Sequence, residues 1–120
     1  IQNPNIVKVV FSQSISKGIY NALYFSRSPI PFVRDLPAEQ WLENHTFYKH
    51  IGFYAFSRSF LLDHYPSMKN GNLENTEMLE QLKWLENNFS IRIMKTTYES
   101  PNIDDPQDIQ KALDWLNNTL

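Results

Sequence analysis

The sequence predicts an α/β fold, a mixed sheet with flanking helices, and three observations carry the prediction. Short runs of β-branched and aromatic residues alternate with segments whose apolar residues recur at helical spacing. The 120 residues are one domain's length, enough to bury a sizeable core. At 42% hydrophobic and 20% charged residues, the composition is that of a folded globular chain.

Taken in order, Ile6-Val7-Lys8-Val9-Val10-Phe11 is a strand, nearly all β-branched or apolar. Ser12 to Gly18 is a polar loop. Ala22-Leu23-Tyr24-Phe25-Ser26-Arg27 is a second strand, stopped by Pro29 and Pro31, which cannot donate to a ladder. Val33 to Thr46 is a loop with a helical turn around Ala38 to Glu43. Phe47 to Phe56 is expected to be the third and strongest strand, dense in rings: Phe47, Tyr48, His50, Phe53, Tyr54 and Phe56. Ser57 is placed to cap a short helix through Leu61 and Leu62 towards Tyr65-Pro66. Ser67 to Asn72 is a turn. From Thr76 to Asn88, the positions Met78, Leu79, Leu82, Leu85 and Phe89 give one stripe on a continuous helix. Ile91 to Met94 is a fourth strand. Asp105 is an N-cap and Pro106 a first helical residue, with Asp108 complementing the helix N-terminus. Ile109, Ala112, Leu113, Leu116 and Leu120 then repeat at helical spacing. The elements amount to about half of an open sheet.

The composition also excludes functions. Eleven basic against thirteen acidic side chains leave a net charge of −2, which argues against a general nucleic-acid binder. No apolar run approaches the roughly 20 residues of a membrane span. With no cysteine there is no disulfide scaffold, thiolate zinc site or cysteine nucleophile. His45, His50 and His64 lack zinc spacing, and no Gly-rich phosphate loop, Gly-x-Ser-x-Gly or His-Glu-x-x-His occurs. The chain opens at Ile1 and reaches a strand almost at once, as expected of the C-terminal part of something longer.

Several side chains could carry chemistry. On an extended Phe47–Phe56 strand, His50 and Tyr54 share a face with Gly52 between them, about 13 Å apart along the backbone. They either border a gap for a ligand or pack as internally hydrogen-bonded core. Glu77 and Gln81, four apart on one helix, lie one above the other, with Glu80 beside them. Such carboxylate and amide groups suit a hydroxyl-rich ligand. Equally, they are an ordinary solvated face in which Glu80 pairs with Lys83. Arg27 and Arg34 bracket Ser28-Pro29-Ile30-Pro31 and could meet a carboxylate or phosphate, or simply stand in solvent. Of Asp104 and Asp105, one can cap the last helix and leave the other for a hard cation, or both can serve the helix end.

Together the segments resemble one family. Asn3-Pro4-Asn5-Ile6-Val7-Lys8-Val9-Val10 and Ala22-Leu23-Tyr24-Phe25-Ser26-Arg27-Ser28-Pro29-Ile30-Pro31 resemble the middle of the 3-deoxy-manno-octulosonate (KDO) cytidylyltransferases, the CMP-KDO synthetases. Tyr48-Lys49-His50-Ile51-Gly52-Phe53-Tyr54 is similar to that family's basic-His-hydrophobic-Gly-x-Tyr segment. Leu73-Glu74 with Glu77-Met78-Leu79-Glu80-Gln81-Leu82-Lys83 resembles its Leu-Glu-Gln-Leu helix, and Asn102-Ile103-Asp104-Asp105-Pro106-Gln107-Asp108-Ile109 its closing Asp-Thr-Pro-Glu-Asp-Leu. The matches are collinear over nearly the whole chain.

The resemblance implies the C-terminal part of a Rossmann-like nucleotide-diphospho-sugar transferase fold. Residues 1–120 would be the sugar-binding and dimerisation half, without the CTP-binding N-terminal half. It implies cytidylyl transfer from CTP to KDO with release of pyrophosphate, for lipopolysaccharide biosynthesis, in a cytoplasmic homodimer. His50, Tyr54, Glu80 and Gln81 would line the KDO pocket, with Arg27 and Arg34 near the sugar's carboxylate or the phosphates. Asp104 would be one of two aspartates holding Mg²⁺. Asp105 stands where the family has threonine, and the loop from Ser12 to Ser16 is longer than usual. A sialic-acid cytidylyltransferase, or a non-catalytic sugar-binding or dimerisation module, are the alternative readings.

Overall fold

The computed structural model describes residues 1–98, 106 and 108–119. β1 (Lys8–Phe11), β2 (Ile19–Ser26) and β3 (Arg92–Met94) form a three-stranded sheet in the order β1-β2-β3. Both pairings are antiparallel, with Val9 opposite Phe25 and Tyr20 opposite Ile93. The irregularity between Val10 and Phe11 marks where β1 slips against β2. The Ser12–Gly18 segment is a tight connection: Ser14 Oγ donates to the carbonyl of Ser16, and Gly18 takes a left-handed φ of 76°. β2 begins earlier than its apolar run suggests, because Tyr20 and Asn21 pair with β3.

The helices are short. α1 (Trp41–Asn44) follows a 3-10 turn over Ala38–Gln40, as expected. Its Trp41 is buried and donates its indole N–H to the carbonyl of Leu36 at 2.8 Å. A π-helical turn over Phe60–His64 runs into a 3-10 turn over Tyr65–Ser67. Ser57 Oγ accepts from the Phe60 N–H at 3.1 Å, the capping role expected of it. α2 (Asn72–Glu77) and α3 (Glu80–Glu86) come next, and α4 (Asp108–Thr119) closes the chain. The expected cap at Asp105 lies outside the described residues.

Two expectations fail here. The strand from Phe47 to Phe56 does not form. Only Lys49 bridges to Lys8, with Val9 N–H donating to Tyr48 O (3.0 Å) and His50 N–H to Val7 O (2.9 Å). Beyond His50 the Phe53 N–H folds back onto Ile51 O at 2.7 Å, a three-residue turn centred on Gly52. The rings that suggested a strand then pack one by one, Tyr54 and Phe56 edge-on to Trp84. Second, the helix expected from Thr76 to Asn88 is two helices. Met78 adopts φ 52°, ψ 50° and ends α2, while Leu79 is extended.

The core lies between the sheet and α3. Val9, Ala22 and Phe25 meet Leu79 and Leu82, with Leu85, Tyr48, Ile91 and Ile93 packed around them. Leu82 has no exposed surface. Burying one such side chain contributes about 1.5–3 kcal/mol. This packing carries the first turn of α3, and with it Glu80 and Gln81, onto the sheet.

Candidate functional site

His50 is fixed by its backbone bond to Val7 and by its ring, edge-on to Phe25 at 5.1 Å. Burial pushes its pKa below the usual histidine value. The turn at Gly52 brings Tyr54 back, so that its hydroxyl lies 2.8 Å from His50 Nε2. The extended-strand separation of about 13 Å is therefore replaced by direct contact. Burial, and then the charge of Glu80, raise the Tyr54 pKa, so the phenol keeps its proton. With the phenol protonated and the imidazole neutral, we assign Tyr54 as donor and Nε2 as acceptor, the tautomer with its ring proton on Nδ1.

Glu80 and Gln81 open α3. Glu80 is exposed and accepts a hydrogen bond from the Tyr65 hydroxyl, which raises the Tyr65 pKa. Lys83, the expected partner of Glu80, instead donates to Asn70 Oδ1 at 2.8 Å and lies over the Tyr65 ring at 5.5 Å. Glu77 and Gln81 are not stacked on one helix, because the break at Met78 separates them. Gln81 is only 5% exposed, and its Nε2 has no hydrogen-bond partner within the protein. An amide donor buried without a partner costs about 1–3 kcal/mol, so the position asks for an acceptor from elsewhere.

Trp84, one turn further along α3, is also buried, with an unpartnered indole N–H. Its ring joins Tyr54, Phe56 and Phe60 around a cavity of about 280 Å³ that Arg92 also borders. Sequence reasoning singles out neither Trp84 nor Tyr65 as a functional residue. For Trp84 the fate of one N–H is invisible in sequence. For Tyr65 nothing local points to Glu80, fifteen residues away.

His50 and Tyr54 meet directly, Tyr54 packs against Trp84 of α3, and Glu80 and Gln81 open that same helix. The two arginines are placed elsewhere. Arg27 donates from Nε to Glu77 O (2.7 Å), from one terminal nitrogen to Pro4 O (3.0 Å) and from the other to Met78 O (3.2 Å). Its guanidinium is engaged by main-chain carbonyls and is not aimed at a sugar acid. Arg34 is 91% exposed at the side chain, 3.8 Å from the carboxylate of Asp35. Asp104 lies outside the described residues. Among those that are described, no cluster of three or more His, Asp or Glu side chains could hold a metal. Mg²⁺, which seeks about six oxygen ligands, therefore finds no ready-made cage in them. No described helix is long and apolar enough to cross a membrane.

Residues 1–96 match the family model for cytidylyltransferases. Over 118 residues the chain is 44% identical to the 3-deoxy-manno-octulosonate cytidylyltransferase of Bacteroides thetaiotaomicron, covering 98% of this chain and 45% of that protein. It is 48% identical over 109 residues to the enzyme of the same name from Chlorobium limicola, covering 91% of this chain and 40% of that one. A solved structure, CMP:2-keto-3-deoxy-manno-octonic acid synthetase complexed with CTP, is similar at 32% identity and a TM-score of 0.82, over 98% of this chain and 44% of that one. This likeness upholds the expected α/β fold class. The chain spans less than half the length of the curated relatives it matches.

Proposed function

The chain belongs to the cytidylyltransferase family, and from that premise we propose that it is the sugar-acid-binding, C-terminal half of a KDO cytidylyltransferase. The full-length enzyme would join the anomeric hydroxyl of KDO to the α-phosphorus of CTP and release pyrophosphate. A new P–O bond forms as the bond to pyrophosphate breaks, and the hydroxyl proton is lost. Transfer of this kind needs placement and charge neutralisation more than covalent help.

The observation that carries the reading is the buried, unpartnered amide of Gln81, which follows the exposed Glu80 in the first turn of α3. Together they present a donor and an acceptor to neighbouring sugar hydroxyls. With Tyr54 assigned as donor to His50 Nε2, the imidazole would offer its Nδ1–H to the sugar. With Arg27 engaged elsewhere, Arg34 is the arginine left to reach the sugar's carboxylate. Mg²⁺ would be bound by Asp104 with groups outside this chain, and it would neutralise developing phosphate charge. We also assign the enzyme to the cytoplasm, to lipopolysaccharide synthesis and to a homodimer. The exposure of Phe32 and Phe53 supports self-association.

The test uses the full-length enzyme. Gln81→Ala is expected to raise KM for KDO about tenfold, the loss of about 1.4 kcal/mol for one strong hydrogen bond, while KM for CTP stays put. An unchanged KM for KDO would overturn the reading. Turnover is expected with KDO and not with sialic acid, and the isolated 120 residues should release no pyrophosphate.

A further inference from the structure

The α2–α3 break is held from outside the helices. Glu77 Oε1 accepts from the Ser26 hydroxyl (2.6 Å) and Oε2 from the Arg27 N–H (2.9 Å). Arg27 in turn donates to the carbonyls of Glu77 and Met78. In a continuous helix those two carbonyls would accept from the N–H groups of Gln81 and Leu82. Leu82 N–H turns instead to Leu79 O at 3.1 Å. Behind Arg27 stands Lys8, 1% exposed, whose ammonium donates to Ile6 O (2.7 Å), Asn3 O (3.1 Å) and the carbonyl of Arg27.

The break changes which side chains face the interior. The apolar stripe of an unbroken helix would bury Met78, yet Met78 is 76% exposed and Gln81 is 5% exposed. The left-handed backbone at Met78 is unfavourable for a residue with a Cβ. It persists because Arg27 and Glu77 clamp both sides of it.

We propose that Glu77, Arg27 and Lys8 form a positioning unit for the sugar-acid pocket, interrupting the helix at Met78 so that Gln81 is set inward as a ligand donor. This rests on the pocket reading of Gln81 given above. None of the three side chains touches substrate in the proposal. They act through the register of α3.

The test is a set of variants in the full-length enzyme, with KM measured separately for KDO and CTP. Glu77→Gln, which keeps size and removes charge, should raise KM for KDO about fivefold and leave kcat and KM for CTP within about twofold. In a Gln81→Ala background the same substitution should add nothing to KM for KDO, because both act through one side chain. Should Glu77→Gln fail to fold, Ser26→Ala removes one of its hydrogen bonds and takes the same measurements. Equal effects on both substrates, a loss of thermal stability alone, or full additivity with Gln81→Ala would each overturn the proposal and leave the pocket reading standing. If Gln81→Ala alone leaves KM for KDO unchanged, the pocket reading fails and this inference falls with it.

Discussion

Replacing Tyr54 by Phe removes one oxygen and leaves the ring, so it isolates the bond to His50. The ring keeps its packing on Trp84 and Phe56, at centroid distances of 4.9 and 6.0 Å. What is lost is the 2.8 Å donation to Nε2, in a half-buried setting where water can reach in only partly. An orphaned buried acceptor costs about 1–3 kcal/mol, and partial exposure puts this one at the low end. About 1 kcal/mol corresponds to a roughly fivefold smaller folding constant.

The second readout is titration. Burial already depresses the His50 pKa, and a donor aimed at the neutral ring favours the same state. Without the hydroxyl, the pKa should climb back towards the ordinary value of about 6.5. Because the folded value is depressed, the contribution of His50 to stability is complete above about pH 6.5 and is lost as pH falls through the folded value. Tyr54→Phe should flatten that acid loss. Two-dimensional NMR of the imidazole protons across pH, with urea unfolding at two pH values, measures both. An unchanged His50 pKa together with unchanged stability would show that the hydrogen bond does not exist in solution, and the assignment of donor and acceptor would fall.

Leu82→Ala empties the centre of the core and should cost about 3–4 kcal/mol, read as a lower urea midpoint at constant slope. Gly71→Ala places a Cβ 1.8 Å from Glu86 Oε2, displacing the carboxylate that accepts from the N–H groups of Leu73 (3.0 Å) and Glu74 (3.1 Å). The melting temperature should fall. Those backbone hydrogen bonds hold the Glu86 pKa down, so its contribution is present above the ordinary carboxylate range and is lost as pH drops through the folded value. Both Gly71→Ala and Glu86→Gln should therefore remove acid sensitivity near pH 4. Met78→Gly relieves a left-handed φ on an exposed residue and should raise stability by up to about 1 kcal/mol in calorimetry.

The sequence made β1, β2 and β3 legible because β-branched runs bounded by Pro, Gly and Ser leave few alternatives, and the Pro-rich stop after Ser26 is where β2 ends. It misled over Phe47–Phe56. Ring content marks a segment that buries area but does not say whether an edge is free to accept it, and here β1 offers pairing only as far as His50. The helix break was invisible for a different reason. Met78, Leu79, Leu82 and Leu85 satisfy helical spacing, and the groups that end α2 come from Ser26 and Arg27, fifty residues away. The candidate site residues His50, Tyr54, Glu80 and Gln81 rest on the resemblance. The contact between His50 and Tyr54 follows from the turn at Gly52, and the burial of Gln81 from the break at Met78, neither of which residue spacing announces.

The carboxylate that caps the start of α2 is carried by the last residue of α3. α2 has no finished N-terminus without α3, and six or seven residues are too few to persist as isolated helices. The pair must therefore melt as one cooperative block. Amide exchange should report a single opening free energy shared by residues 72 to 86 rather than a gradient fraying from either end.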